Sequence, residues 1–317
     1  MINRRTFLLS SLGALTVSCA ASMTSTKRPS VRISTGLPGM TFKPLGEALV
    51  SAYSRVLPDI EFIVVETPGS LSNLQNLEAG RADLGLALAD VTYMAFNNEL
   101  SESAALRGVR GMSVLHPSRV HVLVRPESSI QSLSQLRGRD VAVGPPGSGT
   151  AVTSELVLRA FDVRLDQVRQ HALPFADLTR ELTRGSLECA FVVSADPVDA
   201  VGSATAAGAR LLEVKGPTVS RLRTDYPFLR STVIPGGLYT NHPDSIETVA
   251  DDVLLVCRAT MDELLVRRLT VALFDVLPQL ALSLDYLRLM DIERSPATPI
   301  PLHAGAAWYY REAQLER

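Results

Sequence analysis

Eight short β-rich runs recur along the chain, at residues 31–35, 61–66, 82–89, 120–125, 140–144, 188–194, 210–215 and 252–258. Several are apolar at successive positions instead of alternating. A strand of that kind must bury both faces, which is the condition of a parallel strand covered by helices. Helical patterns lie between the runs. Leu45, Leu49, Tyr53 and Val56 keep the spacing of one buried helical face, and Pro58 ends it. Residues 153–161 and 178–184 follow the same spacing, and the longest pattern, 261–277, is expected to close at Pro278. Strands alternating with helices predict an α/β architecture. At ~100–200 residues per domain, the 317 residues suffice for two domains.

The first residues read as an address. Asn3-Arg4-Arg5-Thr6-Phe7-Leu8 leads into an apolar stretch ending at Val17, short of the ~20 residues that span a bilayer. A basic start, a short apolar run and small residues describe a secretory signal, here twin-arginine-like. Thr16-Val17-Ser18-Cys19 resembles a degenerate lipobox. Two outcomes stay open: lipidation at Cys19, or cleavage near Ala20 and release into the periplasm. Residues 1–19 are thus expected to be the export signal, and 20–30 a Ser/Thr linker.

Charge excludes one class of partner. The 31 Lys plus Arg nearly balance 33 Asp plus Glu, for a net −2, without the basic excess of a nucleic-acid surface. Only Lys27, Lys43 and Lys215 are lysines. Cys189 and Cys257 lack metal spacing and read either as two buried thiols or as a disulfide.

Gly144-Pro-Pro-Gly-Ser-Gly-Thr150 is the strongest local signal. It joins a run ending near Val143 to a helical pattern, so its backbone N–H groups and the helix N-terminus suit an anion. It narrowly misses the phosphate-loop pattern. Thr150 replaces the Lys and Ala151 the metal-holding hydroxyl, so a nucleotide–Mg²⁺ site is excluded and a carboxylate fits better. Ser34-Thr35-Gly36-Leu37-Pro38-Gly39 occupies the corresponding place in the first half, with Phe42 and Lys43 beside it. Thr67-Pro68-Gly69-Ser70-Leu71-Ser72-Asn73 follows the second run, where Ser70 suits a helix cap and Asn73 both donates and accepts. Two such turns in separate halves predict a ligand held between lobes.

Catalytic machinery is not legible. There is no G-x-S-x-G, H-E-x-x-H or C-x-x-C, and His116, His121 and His303 are scattered. No metal and no cofactor is expected.

Taken in order, these motifs resemble the TAXI family of solute-binding proteins, receptors of tripartite ATP-independent periplasmic (TRAP) transporters. The resemblance runs from about residue 31 to 312. It rests on Ile33-Ser-Thr-Gly36, on Gly69-Ser70-x-x-Asn73-x-x-x-Leu77-x-x-Gly80-x-x-Asp83-Leu-Gly85 with Asp90, and on Val143-Gly-Pro-Pro-Gly-Ser-Gly-Thr150. Cys189-Ala-Phe191 to Pro197, Gly237-x-Tyr239 and Ile300-Pro-Leu-His303-Ala-Gly305 complete it. It implies a two-lobed, type II-like periplasmic-binding-protein fold. Two mixed sheets flanked by helices would be joined by crossover strands near 120–125 and 254–258. Lobe I would comprise 31–120 and 258–317, and lobe II 121–257. It implies no enzyme, but capture of a small carboxylate (organic acid, 2-oxo acid or acidic amino acid) for a Na⁺-driven TRAP permease. An exported ligand sensor uncoupled from transport is the alternative. Carried over residue by residue, Ser148, Gly149 and Thr150 would cap the anion. Thr35, Gly36, Gly39, Phe42, Lys43, Ser70, Asn73 and Asp90 would line lobe I, and Pro197 and Tyr239 would complete the wall. Leu88 departs from a polar residue common in the family, and Lys43 would add a charge to the cleft.

Overall fold

The computed structural model describes residues 28–100 and 105–315; the expected export signal, with Cys19, and Lys27 lie outside them. Ser30–Ser34 (β1), Glu61–Val65 (β2) and Leu84–Leu88 (β3) pair in parallel in the order β2-β1-β3. They are linked by Phe42–Val56 (α1) and Ser70–Glu78 (α2), and followed by Ala89–Asn97 (α3). The chain then runs through the 16-residue strand Val109–Val124 (β4) and repeats its plan. Asp140–Ala142 (β5), Gly149–Ala160 (α4), Arg169–His171 (β6), Leu178–Thr183 (α5) and Cys189–Ser194 (β7) give the parallel order β6-β5-β7. Asp199–Ala206 (α6), Arg210–Leu211 (β8), Pro217–Asp225 (α7) and Arg230–Ile234 (β9) lead to Ile246–Arg258 (β10). Glu263–Ser283 (α8) and Ala304–Leu315 (α9) finish the chain.

The two halves meet through β4 and β10, which lie antiparallel at the centre of the order β2-β1-β3-β10-β4-β7-β5-β6. β10 pairs with β9 over 246–250 and with β3 over 253–257. β4 pairs with β10 up to Arg119 and with β7 from Arg119 onward. Each long strand therefore serves both lobes, and the two expected sheets are continuous through them. The register of β10 on β4 shifts between Asp252 and Leu254, beside the pairing of Asp252 with Pro117. Proline has no amide to give the ladder, so an irregularity is its usual companion in a strand.

Burial follows the sequence pattern with two differences. α1 buries Leu45, Leu49 and Tyr53 as the spacing predicts, but Val56 is exposed and Leu57 takes its place in the core. α8 does not stop at Pro278. It continues to Ser283, because burial of Leu277 and Leu280 holds a turn that lacks one amide donor. Cys189 and Cys257 are free, buried thiols, and burial pushes both thiols upward in pKa. No helix among the described residues is long and apolar enough to cross a membrane.

Candidate functional site

Loops at the C-terminal ends of β1, β2 and β3 face the loops after β5 and β6 and the end of β7 across the boundary between the halves. Open α/β sheets bind ligands at such positions. The cavity between these loops has about 40 Å³ open to the centre of a water-sized sphere, room for very few waters. Hydrogen bonds from the Ser72 amide to the Gly147 carbonyl and from Thr153 to Asp90 hold the lobes closed on one another.

Three helices point their N-termini into this cavity: α1 through Phe42, α2 through Ser70 and α4 through Gly149 and Thr150. First-turn amides have no intrahelical acceptor and carry the positive end of the helix dipole. The side chains around them consume little of that capacity. Ser148 caps α4 by accepting from the Ala151 amide and donates to the Pro145 carbonyl, so its hydroxyl is spent within the turn. Thr150 accepts from the Val193 amide at 3.2 Å, and Ser70 from the Leu88 amide at 3.1 Å. Both hydroxyls keep a proton to donate. Apolar groups complete the wall: Leu37, Met40, Leu88, Phe175 and Val193. No charged side chain is among the lining residues.

Close approach of the lobes depends on two glycines. A Cβ on Gly149 would lie 2.6 Å from both Leu88 Cδ1 and Ser70 Oγ. Gly147, at φ +78°, would place one 2.3 Å from Ser72 Oγ. With hydrogen in those places, the Ser72 amide reaches the Gly147 carbonyl at 3.1 Å. Thr41 and Ser194 hydroxyls meet at 3.3 Å, and Met40 packs against the apolar cluster of the second lobe.

Of the residues expected from sequence, Gly36, Phe42, Ser70, Ser148, Gly149 and Thr150 line the cavity. Seven do not. Thr35 and Asn73 are buried behind it. Asn73 Nδ2 donates to the Thr35 and Leu86 carbonyls, both at 2.7 Å, while its Oδ1 accepts from the Thr67 hydroxyl at 2.5 Å. Asn73 thus braces the ends of β1, β2 and β3 instead of facing a ligand. Gly39 sits in the loop at φ +85°. Lys43 turns away to pair with Glu66 and Glu47, so it puts no charge into the cavity. Hydrogen bonding to Glu66 raises its pKa.

Pro197 and Tyr239 lie outside the lining, and Tyr239 belongs to a neighbouring brace. The Tyr239 hydroxyl accepts from the Val198 amide at 3.0 Å and lies 3.3 Å from His121 Nε2, which is 2.7 Å from Asp196. Burial works against the Asp196 charge, but His121 and Arg119 outweigh it and hold that carboxyl below its ordinary range. Asp90 is fully buried and accepts from the Thr153 hydroxyl of α4 at 2.6 Å.

Eight lining residues were not among those expected: Leu37, Met40, Thr41, Pro68, Gly69, Leu88, Phe175 and Val193. Leu37, Pro68 and Gly69 lie inside the turns singled out from sequence, and Leu88 was noted only as a departure. Met40 and Thr41 carried a signal by preceding the first turn of α1, and Phe175 and Val193 carried none.

A closed two-lobed α/β fold with its cavity at facing strand ends defines a periplasmic-binding-protein architecture. By sequence, the chain belongs to the NMT1-like family, whose pattern matches residues 33–313. Solved structures agree on the fold. The alkanesulfonate-binding protein SsuA from Xanthomonas axonopodis pv. citri, bound to MOPS, is 16% identical over 89% of this chain and 83% of its own, with a TM-score of 0.51. A structure described as a periplasmic transporter is 14% identical over 92% and 95%, with a TM-score of 0.54. An ancestral arginine-binding protein bound to arginine is 15% identical over 83% and 98%, with a TM-score of 0.51. Two of these three neighbours are described as binding proteins.

Proposed function

We propose that the chain is an exported receptor that closes its lobes on a small carboxylate and delivers it to a TRAP-type permease. The observation that carries the ligand class is the convergence of three helix N-termini on a cavity without charged side chains. A carboxylate there meets first-turn amides of α2 and α4 and the hydroxyls of Ser70 and Thr150, and its carbon chain meets Leu88 and Phe175. The anion is held by dipoles already fixed in the helices, so Lys43 is not needed. Lobe I ends and lobe II begins, in this reading, where the crossover strands change partners: near Arg119 in β4, and between Ala250 and Val253 in β10. The second change lies ahead of the 257/258 division expected from sequence. Export rests on residues 1–19, and the permease on the ordered TAXI-like motifs.

A thermal-shift screen of the purified mature protein tests the ligand class, using monocarboxylates, dicarboxylates, amino acids and 2-oxo acids. A ligand at ~100 times its Kd stabilises by about 2.7 kcal/mol. With an unfolding entropy of ~2.1 cal/mol/K per residue over ~300 residues, that raises Tm by about 4 °C. Carboxylates are expected to shift Tm in both wild type and Lys43→Ala, and less in Thr150→Val. Silence across the panel in folded, ligand-free protein, or hits confined to cations, would overturn the reading.

A further inference from the structure

Behind the cavity, where α3 and α4 of opposite lobes meet the crossover strand β10, two carboxyls are buried side by side. Asp90 and Asp251 are each 0% exposed. Asp251 Oδ2 accepts the Asp90 amide at 2.9 Å. Asp90 already has one donor on each oxygen and a lone pair left on each: the Val91 amide serves Oδ1 at 2.5 Å and the Thr153 hydroxyl serves Oδ2 at 2.6 Å. Asp251 Oδ1 has no donor. An ionised oxygen left bare in the interior is costly, whereas a protonated one becomes the donor itself.

We infer that Asp251 carries a proton which it donates to ionised Asp90, and that this proton is a condition of lobe closure. Thr153 belongs to the second lobe and Asp90 to the first, so the carboxylate that receives the proton is the one that clasps α4. Other charges near the pair do not neutralise it. On β10, Asp252 is paired with Arg230 and Arg294. On β4, Ser118 lies opposite Asp251 with its hydroxyl unpartnered. Its neighbour Arg119 is engaged with Asp196, and His116 is held neutral by burial. α4 contributes half-buried Glu155 and exposed Arg159 besides Thr153, and β3 is apolar. Burial, then the Asp90 charge, pushes the Asp251 carboxyl well above its ordinary range; burial also raises Asp90.

The sign follows. The closed state binds the proton more tightly than an opened, hydrated pair, so closure is favoured at low pH and lost as pH rises through the closed-state pKa. One proton gives up to a tenfold fall in the closed-to-open ratio per pH unit between the pKa of the opened pair and that of the closed pair, and no further fall above the closed-state pKa. This holds whichever ligand the cavity takes.

The test is an interlobe distance by fluorescence transfer, with labels at exposed Ser51→Cys and Thr183→Cys in the full chain carrying Cys19→Ser. Wild type is expected to show a shorter mean interlobe distance, and so a larger closed fraction, at pH 5 than at pH 9. Asp251→Asn, whose amide replaces the acid O–H, is expected to stay closed across that range; Asp90→Asn serves if it fails to fold. Thr153→Val is expected to open already at pH 5. A wild-type distance constant from pH 5 to 9, or an Asp251→Asn curve that titrates like wild type, would overturn the inference. So would opening that follows Na⁺ at fixed pH instead of protons.

Discussion

Asn73→Ala separates bracing from ligand contact. In the folded chain this buried amide gives two hydrogen bonds to the carbonyls of Thr35 and Leu86 and receives one from Thr67. After truncation the Thr67 hydroxyl still reaches the Thr35 carbonyl, 3.2 Å away, or the Gly69 carbonyl at 3.4 Å. The Thr35 carbonyl is therefore partly rescued, and the Leu86 carbonyl loses its side-chain donor. At about 1–3 kcal/mol per buried group left short, the sum is about 2–4 kcal/mol. Divided by an unfolding entropy of ~0.6 kcal/mol/K for a chain this long, Tm falls by about 3–7 °C. Urea unfolding followed by circular dichroism, with calorimetry beside it, reads both quantities. A loss below ~0.5 kcal/mol together with weakened carboxylate binding would refute the bracing argument and return Asn73 to the ligand.

Two further outcomes follow from distances and burial. Gly149→Ala forces the lobes apart, because its Cβ has only 2.6 Å to Leu88 Cδ1 and Ser70 Oγ. An overpacking cost of about 1–3 kcal/mol predicts a larger radius of gyration by X-ray scattering and at least tenfold weaker binding of any screen hit. Unchanged scattering would show that the side chains yield instead. His116 is a pH-dependent element, since burial lowers its pKa to about 4. The unfolded chain takes up a proton below about 6.5 while the folded chain does not, so stability falls from pH 6.5 toward 4, by roughly 3 kcal/mol. His116→Phe, which keeps the contact with Tyr286, is expected to flatten that limb in a Tm–pH series.

What the sequence made legible is what one side chain can declare. The continuous apolar runs announced buried strands, which pair in parallel in β3, β5 and β7 but only antiparallel in β4 and β10. Gly144 to Thr150 announced the turn into α4. Local composition sets burial and the turn but not strand direction. β6 and β9 went unseen because Arg169-Gln170-His171 and Arg230-Ser231-Thr232 are too polar to read as strands. The first half of β4 hid behind Pro117. Within the site, six residues were found because they sit in turns whose glycines and hydroxyls stand out. Phe175 and Val193 look like core residues, and only the folded chain brings them to the same cavity as Ser70. Lys43 misled for the reverse reason. Its charge suggested an anion, but Glu66 and Glu47, one of them 23 positions away, already balance it.

The neutral wall also ranks ligands within the proposed class. Closure is supported by three cross-lobe hydrogen bonds: Ser72 to Gly147, Thr41 with Ser194, and Thr153 to Asp90. At about 0.5–1.5 kcal/mol each they supply roughly 3 kcal/mol, against about 5.5 kcal/mol for a full population switch from 1:99 to 99:1. The ligand must supply the remainder, and amides of α2 and α4 meet a carboxylate well. An α-ammonium entering the same cavity finds no carboxylate among the lining residues, and leaving such a charge unpaired costs several kcal/mol. A 2-oxo acid is therefore expected to raise Tm more than the amino acid of the same carbon chain, by at least tenfold in affinity. Equal shifts for such a pair would mean that carbonyl and hydroxyl oxygens of the wall satisfy the ammonium, and that the absence of charge does not select against it.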